Sequence, residues 1–252
     1  LSAQASESEP LLLVAPNGAP VLHLVELLHR ESPRAEGPLV VVDCASVAEA
    51  ESLVALMGDP STGDPGWVAH ATHGTLVLRD VPALSLAAQE ALAGFIAPPA
   101  PEEAGQEAGQ EARPSVTRAT TTSALRVVLV ARAGLDALVA RGKLAPQLAQ
   151  QVGERVIEVP PLARRAADVP SLTLLAVANA CRRVGREPIG VSQAVVDYLV
   201  RADLTGDVRG LAERVEDAVA RATGPQLTLA DFALTPGSEA PQAAVGADDT
   251  PR

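Results

Sequence analysis

Apolar positions along the chain alternate between short unbroken runs and stripes of helical spacing. LLLV at residues 11–14 is followed by APNGAP, which holds the turn formers. Val21, Leu24, Val25 and Leu28 then recur on one helical face before a second run, LVVV at 39–42. Short runs bounded by turn residues suit strands covered on both faces. The stretch therefore predicts strand, loop, helix and strand, the opening βαβ unit of an α/β nucleotide-binding fold. Further strands are expected at 75–78 (TLVL), at 125–130 (LRVVLV), read as an apolar central strand, and at 155–159.

The helices follow from the same patterning. Ser46 and Glu49 have capping-box spacing and predict a helix as far as Met57, with Leu53, Val54 and Met57 on its apolar face. Residues 58–67 (GDPSTGDPGW) read as a loop, and residues 85–96 as an amphipathic helix burying Leu84, Ala88, Ala91, Leu92 and Phe95. After a VPPL turn, Asp168 is expected to cap a helix running to Val184, with Pro170 in its first turn. Ser192 is expected to cap a second helix through Ala202. A third, over 207–222, puts Val208, Leu211, Ala212, Val215 and Val219 on one stripe. The predicted organisation is an α/β domain over 10–163, a parallel sheet flanked by helices, then a small helical lid domain over 164–234.

Three segments break this pattern. Residues 1–9 are polar and read as a linker. Residues 98–123 repeat EAGQ with almost no large apolar side chain and read as a disordered surface insertion, and residues 235–252 read as a disordered acidic tail.

Composition narrows the function classes. Hydrophobic residues make up 47% of the 252 and aromatics 2%, so the core is built from Leu, Val and Ala. A net charge of −11 argues against broad binding to nucleic acid or acidic membrane, which needs clustered cations. Arg164-Arg165 and Arg182-Arg183-Arg186 are expected to be solvated helix faces. Cys44 and Cys181 lie in apolar patterns and read as small core residues of a cytoplasmic protein. No run approaches the ~20 apolar residues of a membrane span. His70 and His73 have no Cys or carboxylate at ligand spacing, so no metal site is expected. Neither G-x-S-x-G nor G-x-G-x-x-G occurs.

The loop after the first strand is where chemistry is expected. In a working phosphate loop, glycines free backbone N–H groups for the phosphates, a lysine reaches the β and γ phosphates, and a Ser or Thr holds magnesium. This loop keeps Gly18. Pro20 or Val21 stands where the lysine belongs, and the single lysine of the chain is Lys143.

HRESPRAEGPLVVVDCA (residues 29–45), HGTLVLRDV (73–81), LRVVLVA (125–131), VPPLARRAADVP (159–170) and LTGDVRGLAERVEDAV (204–219) occur in this order. Together they resemble the AAA+ domain of sigma-54-dependent transcription activators over roughly residues 10 to 234. The resemblance implies an AAA+ P-loop-type sheet with a helical lid. For activity it points the other way. The family's long insertion carrying the GAFTGA loop is reduced to residues 58–64. Its Asp-Glu pair at the strand end is Arg79-Asp80, and Asp80 could serve only by a one-residue slip that strand alternation turns to the wrong face. Ala131-Arg132 replaces its sensor asparagine. Ala145 and Gln151 replace its two arginine fingers, which act on a neighbour's ATP. Asp207-Val208-Arg209 stands for Asn-Val-Arg, so Arg209 is the one nucleotide-contacting side chain that survives, expected to act in a structural ion pair.

Any residual nucleotide contact is thus confined to Gly18, Asp80, Arg132 and Arg209, with no catalytic residue and no ATP or magnesium requirement. The expected function is a pseudo-ATPase scaffold in transcriptional or signalling control. Its partners would be a protein or flanking domains of its own chain, with no direct nucleic-acid or membrane contact, and alone it would be a monomer or weak oligomer. Two other readings stay open: an ATP-dependent sigma-54 activator, and a nucleotide-binding sensor with an atypical site.

Overall fold

The computed structural model describes residues 9–97, 125–204 and 206–232. The linker expected at 1–9 (apart from Glu9), the insertion at 98–123 and the tail at 235–252 lie outside the described residues. The chain forms two compact units: Leu1–Ala15 with Val21–Val159, and Pro16–Pro20 with Pro160–Arg252.

The first unit is built on a parallel five-stranded sheet of order β2-β3-β4-β1-β5. The strands are β1 (Leu11–Val14), β2 (Leu39–Asp43), β3 (Thr75–Arg79), β4 (Arg126–Ala131) and β5 (Val156–Glu158). Successive side chains point to opposite faces. Leu12, Leu76, Leu78, Val127 and Leu129 serve one core, which also takes in Leu56, Leu92 and Leu148 from the helices on that side. Leu11, Leu13, Val77, Val128 and Val130 serve the other, closed by Val25 and Leu28 of α1 (Val21–Arg30). The α1 stripe read from the sequence is the one that packs. β4 is central and buried along its whole length, although its first residue, Arg126, is charged.

The remaining helices of this unit are α2 (Ser52–Met57), α3 (Gly66–His70), α4 (Leu86–Ile96), α5 (Leu135–Ala140) and α6 (Pro146–Val152). Ser85 caps α4, its hydroxyl accepting from the Ala88 N–H at 3.2 Å. Gln89, fully buried on α4, donates to the carbonyls of Leu84 and Lys143 and accepts from the Ala145 N–H at 2.8 Å. That amide ties the segment before α6 to the core, because a buried polar group left unpaired is costly.

Three expectations for this unit need correction. The helix expected from Ser46 begins at Ser52, after two 3-10 turns (Cys44–Ser46 and Glu49–Glu51). Val47 and Ala48 are extended, so no helix can start from Ser46, whose hydroxyl donates to the Asp43 carbonyl at 2.6 Å. With that later start Ser52 and Leu56 face inward, and Leu53, Val54 and Met57 face out. The loop at 58–67 is shorter than read, because α3 starts at Gly66. On α4 the buried set is Ala88, Gln89, Leu92 and Ala93, while Phe95 is only partly buried.

The second unit contains α7 (Val169–Arg183), α8 (Gln193–Arg201), α9 (Asp207–Arg221) and a two-stranded ribbon of β6 (Gly190–Val191) and β7 (Gln226–Leu227). Leu211, Val215 and Val219 of α9 meet Val177 and Cys181 of α7 and Leu199 of α8 in one core, as the stripe predicts. Asp168 and Ser192 occupy the N-cap positions of α7 and α8, yet neither side chain makes a capping bond. The basic cluster at the end of α7 is more than a solvated face. Arg183 pairs with Glu216, and Arg186 donates to the carbonyls of Val219, Ala222 and Gly224, which fixes the turn after α9.

Candidate functional site

Ligands of open parallel sheets bind at the carboxyl ends of the strands. In the first unit that edge carries Asp43 from β2, Arg79 and Asp80 from β3, and Arg132 after β4. The charges pair among themselves, Arg79 with Asp43 at 3.8 Å and Arg132 with Asp80 at 3.4 Å. The alternation argument for Asp80 does not hold. Its backbone turns left-handed (φ 55°, ψ 49°) directly after β3 ends, so Asp80 is no longer part of the pleat and its carboxylate reaches Arg132. Magnesium is held by several hard oxygens. Here one guanidinium already neutralises each carboxylate, and no group of three His, Cys, Asp or Glu gathers among the described residues.

Cys44, fully buried beside this edge, has its thiol pushed up to about 12, by burial first and then by Asp43 and Asp80. Its folded value lies above the ordinary 9.0, so the unfolded chain deprotonates first and this group's stabilisation is lost as pH rises from 9 toward 12. The expected result is that the native protein does not alkylate at Cys44 at pH 8.5 while the urea-unfolded chain does, read by peptide mass after iodoacetamide treatment. Rapid native labelling of Cys44 would contradict this.

The phosphate-loop segment, Pro16–Pro20, belongs to the second unit. Gly18 is left-handed (φ 83°), and its carbonyl accepts the Arg209 backbone N–H at 3.1 Å. A Cβ placed on Gly18 would lie 1.8 Å from the Gly206 carbonyl oxygen. The turn is therefore packed against the first turn of α9. Arg209 bonds the loop through its backbone N–H. Its side chain is 79% exposed and bonds Glu213 at 2.8 Å, the structural ion pair expected for it.

Two residues that sequence reasoning passed over hold this arrangement. Asp207 is buried, with a left-handed backbone (φ 53°); one carboxylate oxygen accepts the Leu162 N–H and the other lies 3.6 Å from Arg165. Arg165 also pairs with Asp168 at 3.5 Å, so it is an anchored residue and not part of a solvated face. The signal available was Gly206-Asp207, a turn pair opening a helix. Its partner Leu162 is 45 positions away and leaves no local trace. Lys143 follows α5 on an exposed turn in the first unit. Of the two residues that the resemblance sets at finger positions, Ala145 is buried with its N–H on Gln89, and Gln151 offers its carbonyl to Arg155. Residues 58–64 close as a tight turn, with the Asp59 N–H on the Asp64 carbonyl at 2.9 Å.

A parallel sheet in this order, with a glycine-bearing loop after its first strand and a helical unit following it in the chain, defines an AAA+ P-loop-type module. The family model described as the sigma-54 interaction domain matches residues 1–133, and the chain belongs to that family. It is 32% identical over 199 residues to the C4-dicarboxylate transport transcriptional regulatory protein DctD of Rhizobium meliloti, covering 75% of this chain and 41% of that protein. With the transcriptional regulatory protein TyrR of Citrobacter braakii it shares 26% over 242 residues, 96% of this chain and 45% of the other. NtrX of Brucella abortus, solved with ADP, superposes with a TM-score of 0.75 at 20% identity over 91% of this chain and 50% of its own. The chain spans about half the length of the curated relatives it matches. No described helix is long and apolar enough to cross a membrane.

Proposed function

We propose that this module is a catalytically silent member of its family, a pseudo-ATPase that serves a cytoplasmic transcriptional regulator as an interaction scaffold for a protein partner or for flanking domains. The observation that carries the reading is the packed turn at Gly18: a Cβ there would lie 1.8 Å from the Gly206 carbonyl oxygen and the Gly18 carbonyl accepts the Arg209 N–H, so the loop lies directly on the start of α9. Everything else a triphosphate needs is absent in kind. Pro20 and Val21 carry no cation, Arg79 puts a positive charge where a metal carboxylate belongs, and Arg132 is engaged by Asp80. A single loss is open to compensation. Joint loss of lysine, metal carboxylate, sensor amide and both fingers removes the charge stabilisation on which phosphoryl transfer depends. The tight turn at 58–64 likewise supports a role other than direct remodelling of sigma-54.

The test is phosphate release from ATP with magnesium, with and without sigma-54. The expected rate equals that of a buffer control and does not change in Arg209→Ala. Turnover that scales with protein concentration and falls in Arg209→Ala would establish the ATP-dependent activator instead. Saturable ATP binding without turnover would establish the sensor.

A further inference from the structure

α2 reads SLVALM and is apolar on nearly every side. Leu56 is fully buried in the core, while Leu53, Val54 and Met57 are 37%, 47% and 38% exposed. Helices of that pattern are ordinarily covered on every side. α4 is fastened to the start of α2: the Ser52 and Ser85 hydroxyls lie 2.8 Å apart and the Ser85 N–H donates to Ser52 at 3.1 Å, which brings Leu53 and Leu86 into the first turns of two joined helices. Leu86 is 47% exposed.

The charged side chains carried by these two helices and by the turns flanking α2 have one sign. Glu49 and Glu51 precede α2, Asp59 and Asp64 lie in the turn after it, and Glu90 sits one turn beyond Leu86 on α4. Residues 46–78 and 80–97 contain no lysine or arginine. Hydrogen bonds from Ser61 hold the Asp59 carboxyl below the usual carboxylate range, which keeps that part of the rim ionised.

We propose that this acid-rimmed apolar face docks a basic amphipathic helix of a partner protein. Leucines or isoleucines on the inserted helix would cover Leu53, Val54, Met57 and Leu86, and its lysines or arginines would meet the five carboxylates. The rim disfavours two-fold pairing of this face with its own copy, which would set like charges together on a protein of net charge −11. It equally repels an anionic lipid surface. Met57, the one methionine, is unbranched and adaptable, which suits a surface that moulds to an inserted helix. This inference deepens the scaffold reading by naming the chemistry of the partner.

Met57 also supplies the probe. With methyl-13C methionine in the full chain, and the resonance assigned by Met57→Leu, the protein is titrated with a designed peptide of about 18 residues, five helical turns, bearing leucine on one face and lysine on the other. The expected result is a saturable shift of the Met57 methyl signal. A scrambled peptide of the same composition, or one with glutamate for lysine, should bind at least about tenfold more weakly. Val54→Asn and Leu86→Asn, both at exposed positions, should weaken the helical peptide to a similar degree. Equal binding of the scrambled peptide, no shift at all, or a shift produced by concentrating the protein alone would overturn the proposal. ATP with magnesium forms a separate arm: saturable nucleotide binding would overturn the inert-site reading without altering the peptide result, so the two failures are distinguishable.

Discussion

Gly18→Ala is expected to destabilise the second unit by about 3 kcal/mol, near the upper end of ordinary single substitutions. Two effects add. A residue with a Cβ in the left-handed region, where Gly18 lies at φ 83°, costs about 1–2 kcal/mol. The new methyl would also stand 1.8 Å from the Gly206 carbonyl oxygen, a backbone atom that no side-chain rotation can move aside. Relief requires the loop and the start of α9 to separate, which breaks the bond from Arg209 N–H to Gly18 O. Gly185→Ala is the matched control, since Gly185 is left-handed (φ 69°) with nothing within 4 Å of its Cβ position. It should cost only the conformational share, about 1 kcal/mol. Urea unfolding followed at Tyr198, the one tyrosine, reads the second unit. Equal costs at the two glycines would mean that the loop is not packed against α9.

Asp207→Ala is expected to cost about 3 kcal/mol by the same measurement. The substitution strips the acceptor from the Leu162 N–H and the carboxylate from Arg165, whose side chain is 26% exposed, and it forces alanine into a left-handed backbone. Asp207→Asn separates these causes. The amide oxygen can still accept from Leu162, asparagine tolerates the left-handed region, and only the ion pair to Arg165 is lost. That pair spans 3.6 Å, and neither of its facing atoms has a hydrogen-bond partner, so asparagine should cost about 1 kcal/mol. Asparagine is also what the resembling family carries there. If asparagine proved as damaging as alanine, the charge and not the hydrogen bond would be what holds the start of α9.

Patterning carried the fold a long way. The unbroken apolar runs became four of the five strands, and the stripes of α1 and α9 pack as their spacing says, because in both cases one side of the element is decided by burial alone. Reading failed where a local choice was settled by distant partners. Ser46 has every local attribute of a cap, but the backbone at Val47 and Ala48 is extended, so the helix starts only at Ser52, with Leu53, Val54 and Met57 exposed. Asp80 was read as part of a strand, and a left-handed backbone removes it from the pleat. For the site, the residue types standing where the resemblance expects a lysine and fingers were legible. The pin from the Asp207 carboxylate to Leu162 and the close approach of Gly18 to Gly206 were not, since each joins positions far apart in sequence and at least one partner is a backbone atom that looks alike in every residue.

The most direct test of the central claim is calorimetric titration of ATP with magnesium into the intact chain. If the turn at Gly18 is packed on α9 and no cation or metal-bearing group serves it, the heats equal those of dilution up to millimolar nucleotide, roughly the weakest affinity such a titration resolves. A saturable isotherm with micromolar Kd, lost in Asp80→Asn, would show that a triphosphate and its metal are held after all, and would contradict the account.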